Sequence, residues 1–197
     1  MTYKWGGKLK VFDGGLDLTD DSIKYAGIDQ SYTGFGVTII NDRLEYKTFV
    51  YKSVGIGVER LGDIKKFLGL EIFETVANIE ASAMEGYAFG REFGVALSGE
   101  LGGLVKIELR EWWYDSEAAY PYIVQPTTLK KYITGKGTGV QKNQVLLQVF
   151  KKWGVEFTDD NAADSYGLAR IAAGLHDLAY EKEIIEKLLD PKYREKP

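Results

Sequence analysis

Four acidic residues stand out by where they fall. Asp29 closes the apolar run "KYAGID", and Glu85 ends "ASAMEG", so each carboxylate sits at the end of a segment that otherwise reads as a buried strand. Asp160 and Asp164 open the helical stretch "TDDNAADSYGLA". Residues four apart share a helix face, as do residues three apart, so Asp164 points the same way as Asp160 and as Asn161. An ionised carboxylate in an apolar setting is costly unless something pairs with it. Two carboxylates side by side repel each other, unless a divalent cation sits between them. A set of oxygen ligands suits a hard ion, Mg²⁺ or Mn²⁺. Two such ions about 4 Å apart can clamp an attacking water and a leaving oxygen on one phosphate. Taken singly, each acid has a plainer reading: Asp29 as a turn cap, Glu85 as an ordinary strand-end acid, Asp160 as a helix N-cap. Only the joint pattern points to metal-assisted chemistry on a phosphate.

Composition narrows the alternatives. The chain has 197 residues, with 45% apolar and 27% charged residues, ordinary values for a soluble globular domain. Cysteine is absent, which excludes disulfides and thiolate-held zinc. The single histidine, His176, argues against a histidine-rich metal site or a serine–histidine triad and is read as a helix-surface residue. No window approaches the roughly 18 uninterrupted apolar residues of a membrane span, and "MTYKWGGKLKVFDGG" lacks the apolar centre of a signal peptide. Net charge is −4, yet between Lys130 and Lys152 there are six lysines and no acid. A basic stretch beside an acidic cluster suits a site that holds metal next to a phosphate backbone.

The elements that must position these groups follow from periodicity. Residues 1–22 read as an N-terminal extension, with "KLKVF" as a candidate short strand. "KYAGID", "GFGVTII" and "RLEYKTFVY" predict an antiparallel meander of three strands. Apolar spacing from Glu59 to Ile79 predicts a helix, and "ASAMEG" a fourth strand. "GVALSGELGGLVKIEL" is helical by its spacing despite four glycines. Glycine costs about 1 kcal/mol against alanine in a helix, so several on one helix suggest close approach of another backbone. "YPYIVQP" is a fifth strand stopped by Pro126. "KNQVLLQVFKKW", "TDDNAADSYGLARIAAGLHDLAY" and "EKEIIEKLL" are helices, and 191–197 is a tail. Residues 23–190 are thus expected to form a single α/β domain, a mixed five-stranded sheet with helices on both faces. Ligands of open α/β sheets bind outside the carboxyl ends of strands, where Asp29 and Glu85 fall.

Four segments, in order, resemble the RuvC family of Holliday junction resolvases within the RNase H-like superfamily, and the likeness is greatest to phage-encoded members. "GIDQSYTGFGV" is similar to the family's first-strand signature, with Asp29 as the leading metal carboxylate. "MEGYAFG" is similar to its second acidic strand, with Glu85 as ligand. "GKGTGVQKNQV" resembles its glycine-rich stretch, with Lys142 at the functional lysine. "DDNAADSYGLA" resembles its closing acidic helix. The likeness spans about residues 23–178. It implies an RNase H-like fold and a homodimeric endonuclease that takes two Mg²⁺ (or Mn²⁺) ions per active site and cuts two strands of branched DNA at a four-way junction. The setting implied is the cytoplasm of a bacterium or of a phage-infected host, without a membrane partner.

The site residues implied are Asp29, Glu85, Asp160, Asp164 and Lys142, with Asn161 as a further candidate ligand through its amide oxygen. Lys130, Lys131, Lys136 and Lys142 are expected to contact DNA phosphates, and Tyr87 and Phe89 to meet unpaired bases at the branch point. Two departures stand out: Asn161 where an acid is usual, and the extension ahead of the first strand. The sequence leaves other classes open. "GIDQSYTGFG" also resembles the first phosphate loop of actin and sugar-kinase proteins, although no second such motif is found. Asn161 keeps open a non-catalytic DNA-binding module on this fold, and an RNA–DNA hybrid nuclease would share it.

Overall fold

The computed structural model describes residues 6–86 and 92–190, with the backbone alone for 92–95. Six strands form one sheet: β1 (Lys8–Asp13), β2 (Lys24–Asp29), β3 (Phe35–Asn41), β4 (Tyr46–Lys52), β5 (Ile79–Glu85) and β6 (Tyr122–Val124). Their spatial order is β1-β4-β3-β2-β5-β6. β1 to β4 pair antiparallel with their neighbours, while β2/β5 and β5/β6 are parallel. The central strand β2 carries the first acid.

Helices cover both faces. One face packs α1 (Val58–Phe67), a π-helical segment (Leu68–Phe73) and α2 (Glu92–Trp112) over Ala26, Ile28, Val37 and Met84. The other packs α3 (Pro126–Thr134), α4 (Lys142–Trp153), α5 (Asp160–Ala172) and α6 (Ala179–Leu188) over Ile40, Val50, Ala83 and Val124. Successive strand residues point to opposite faces. With Ile28 on the α1/α2 face, Gly27 and Asp29 turn toward α5. Burying each large aliphatic side chain in these two cores is worth about 1.5–3 kcal/mol. The α5 seam adds a buried hydroxyl relay, with Thr38 Oγ1 2.8 Å from Thr48 Oγ1 and 2.9 Å from Ser165 Oγ.

The sheet has six strands rather than five, because the candidate strand "KLKVF" pairs along the free edge of β4 and Phe12 packs edge-on against Phe157, with ring centroids 5.1 Å apart. Other expectations need correction. The helix expected over Glu59–Ile79 ends at Phe67 and passes into the π-helical segment; Asn78, at φ 52°, turns the chain into β5. Apolar spacing alone did not separate the three. Helix α3 was not foreseen: Pro126 both ends β6 and opens this helix, in the first turn, where its missing N–H costs nothing. The long helix expected through Tyr180 stops at Ala172, where Gly174 (φ 68°) carries the turn and Leu175 N–H donates to Arg170 O at 3.0 Å. No helix among the described residues is long and apolar enough to cross a membrane.

Candidate metal centre

The site forms where three elements meet. α5 lies so close on the sheet that a Cβ built on Gly36 would stand 2.5 Å from Asn161 O. The helix is anchored at its start. Its N-cap is Asp159, not Asp160, and accepts from the Asn161 backbone N–H (3.1 Å) and side-chain amide (2.7 Å). Lys52, at the end of β4, holds the other oxygen of Asp159 at 2.9 Å. That leaves Asp160 and Asp164, one turn apart, facing the sheet ends. Because β2 and β5 are parallel neighbours, Asp29 and Glu85 arrive at the same end of the sheet.

All four acids line one cavity of about 190 Å³, together with Ser31, Asn161, Lys130 and Lys142. Since a water molecule's share of liquid is about 30 Å³, the space admits cations with part of their hydration shell. Asp29 is only 3% exposed. Its carboxyl pKa lies well above the usual carboxylate range, first because it is buried and then because Glu85 and Asp164 crowd it. Glu85 is raised by burial and pulled back by a hydrogen bond with Asp29 and by the charge of Lys130. Asp164 is pushed up to about 7 by burial, then by Glu85 and Asp160, with Lys130 and Lys142 opposing. One oxygen of Asp164, Oδ1, is sealed from solvent and has no hydrogen-bond partner among the described residues. A buried orphan oxygen among repelling carboxyls is the environment that a hard cation relieves. The donor set therefore fits Mg²⁺ or Mn²⁺.

The cage is not closed as it stands. Among the described residues, no three acidic side chains are grouped tightly enough to enclose an ion. Asp160 is ion-paired with Lys142, whose side chain is 81% exposed and whose pKa this hydrogen bond raises. Asn161 spends its amide N–H on Asp159. Lys142 thus occupies the Asp160 carboxylate that a cation would need.

The structure separates the other candidates. Lys130 lines the cavity. Lys131 does not; it lines a second cavity of about 330 Å³ with Gln125 and Glu183. Lys136 lies exposed in the loop after α3, outside the lining. Tyr87 and Phe89 lie outside the described residues. Ser31 also lines the cavity, and its hydroxyl two residues after Asp29 is the only trace of that in the sequence. Nothing in the sequence marked Lys52 or Asp159 as the clamp on α5.

No family model matches the chain, and no curated protein matches it in sequence. Solved structures do. The mixed α/β fold is shared with two RuvC structures. A structure described as T. thermophilus RuvC in complex with Holliday junction substrate superposes with a TM-score of 0.56 at 23% identity, over 75% of this chain and 90% of that one. A structure of Thermus thermophilus RuvC gives 0.55 at 22% identity, with the same coverage.

Proposed function

We propose that this protein is a metal-dependent endonuclease that resolves four-way DNA junctions and other branched DNA, nicking two strands symmetrically as a homodimer. The observation that carries this reading is the convergence of Asp29, Glu85, Asp160 and Asp164 on one cavity beside Lys130 and Lys142. The fold is shared with a protein solved on a Holliday junction.

Asp29, Glu85, Asp164 and Asp160 would hold two Mg²⁺ or Mn²⁺ ions. When bound, such ions supply an acidified water for attack and charge to stabilise the leaving 3′-oxygen. The chain's own groups do the rest. Lys142, released from Asp160, places its ammonium against the charge that builds on the scissile phosphate. Lys130 neutralises a neighbouring phosphate and fixes the strand's position without reading its sequence. The burial of Asp29 keeps bulk water from competing for its oxygens. In-line attack would leave 5′-phosphate and 3′-hydroxyl ends.

The dimer is supported by α2. Among the described residues, Cβ atoms built on Gly99 and Gly103 meet nothing within 4 Å, and Leu97 and Ile107 are exposed on the same helix. Such a surface admits close backbone approach by a second copy.

Incubating the protein with a synthetic four-way junction, with duplex and RNA–DNA hybrid controls, tests the reading. Two symmetric nicks in the junction, dependent on Mg²⁺ and stopped by chelator, are expected. Cleavage of the hybrid alone would assign another substrate. Junction binding without cleavage in Mg²⁺ or Mn²⁺ would favour the non-catalytic module, to which the use of Asn161 as part of the helix cap gives some support.

A further inference from the structure

β2 and β5 part company where their acids stand. Their parallel pairing runs as far as Ile28 opposite Met84. Beyond it, Asp29 pairs with Gly36 on β3, while Glu85 pairs with Val124 on β6. The two carboxylates therefore occupy the prongs of a fork, with no ladder bond between them. Both are buried or partly buried, and when ionised they repel, so the fork has a reason to open.

Besides the hydrogen bond between the two carboxyls, a neighbouring side chain ties the fork. Gln30 Nε2 donates to the main-chain oxygen of Glu85 at 2.6 Å. Gln30 directly follows Asp29, so the contact ties one acid-bearing residue to the neighbour of the other. On its far side Glu85 is held by Gly86, whose N–H donates to Val124 O at 2.8 Å. The amide's orientation is fixed by chemistry, since a flipped Gln30 would set its oxygen against another carbonyl oxygen.

The side chain does not line the cavity. It is 6% exposed, and its Oε1 has no hydrogen-bond partner among the described residues. An apolar side chain of similar length would remove the unpaired Oε1 but also the donor to Glu85 O, a gain and a loss of similar size that leave stability nearly unchanged. Stability alone therefore does not account for a glutamine here. We infer that Gln30 is a positioning residue that sets the spacing between the Asp29 and Glu85 carboxylates for divalent cations. It acts through the Glu85 main chain. This rests on the reading of the cavity as a metal centre. Groups that orient metal ligands from behind typically change metal affinity about 10–100-fold when removed.

The test is Mn²⁺ binding by the full chain without DNA, read by electron paramagnetic resonance, with metal-free Tm measured alongside. Gln30→Met fills the space without a donor. Its Mn²⁺ Kd should rise by about tenfold or more, while its metal-free Tm stays within about a degree or two of wild type, since one unpaired atom is exchanged for another. Unchanged Mn²⁺ affinity overturns the assignment. A metal-free Tm lowered by several degrees makes Gln30 a structural tie and overturns it equally. If Gln30→Met does not fold, Gln30→Asn, which keeps the amide but shortens its reach, decides by the same two readings. A wild-type protein that binds no Mn²⁺ would instead overturn the metal centre and this inference with it.

Discussion

Gly27 and Ala169 touch backbone to backbone: a Cβ built on Gly27 would lie 2.1 Å from the Ala169 nitrogen and 2.1 Å from Ser165 O. β2 and α5 can meet this closely only because position 27 carries no side chain. That contact carries Asp164 to Asp29, so the packing of the fold and the geometry of the site are one feature. Gly27→Ala should therefore lower stability by about 1–3 kcal/mol or more, through overpacking. The corresponding fall in Tm is about 2–4 °C per kcal/mol for a chain of this size. Junction cleavage should fall further than the lost folded fraction explains, because α5 is pushed off the sheet. A thermal melt beside a cleavage rate checks both. A variant that melts like wild type would refute the contact.

The pH dependence has a definite sign. Asp164 titrates near 7 in the folded protein, well above its usual range. A carboxyl raised on folding holds its proton more tightly in the native state. Its contribution to stability is whole below about pH 4, the unfolded value, and is lost as pH rises through about 7. Metal-free wild-type protein should therefore melt lower at pH 8 than Asp164→Asn, with the gap narrowing toward pH 4. Saturating Mg²⁺ should raise the wild type and leave the variant behind. The variant should bind junctions but not cut them; undiminished cleavage would remove Asp164 from the metal site.

Lys142 is tied to Asp160 before substrate arrives. If it then faces the scissile phosphate, Lys142→Ala should lower the single-turnover rate by roughly 100-fold, as loss of one transition-state donor does. The junction Kd should change much less. A looser Kd at an unchanged rate would reduce Lys142 to a phosphate contact.

Lys130 and Lys131 are adjacent in sequence yet serve different surfaces, since consecutive residues on a helix do not face the same way. Lys130→Ala should weaken junction binding and reduce its salt slope by about one. Lys131→Ala should leave the single-turnover rate unchanged. Equal losses of rate in the two variants would contradict the separation seen around α3.

The acids were legible because a carboxylate that closes an apolar run violates what burial allows, and that conflict shows in sequence. Asp29 and Glu85 needed only a parallel neighbour relation to meet, and α/β order suggests one. Other parts left no such trace. Pro126 reads as a stop whether a loop or a helix follows it, so α3 was invisible. Lys131 looked as good as Lys130 because a run of lysines carries no phase. Asp159 and Asp160 are the same residue type, and only backbone angles decide which of them caps α5. Gln30 carries no charge and breaks no periodicity; its part depends on a fork between strands 55 residues apart. Tertiary contacts of this kind are set by register, which short segments do not encode.

The central claim is that Asp29, Glu85, Asp160 and Asp164 gather to hold hard cations. Anomalous scattering from crystals soaked in Mn²⁺ tests it most directly. The account predicts two peaks within coordinating distance of these carboxylates, with Asp160 turned away from Lys142. An empty cavity at saturating Mn²⁺, or ions bound only elsewhere on the protein, would contradict it.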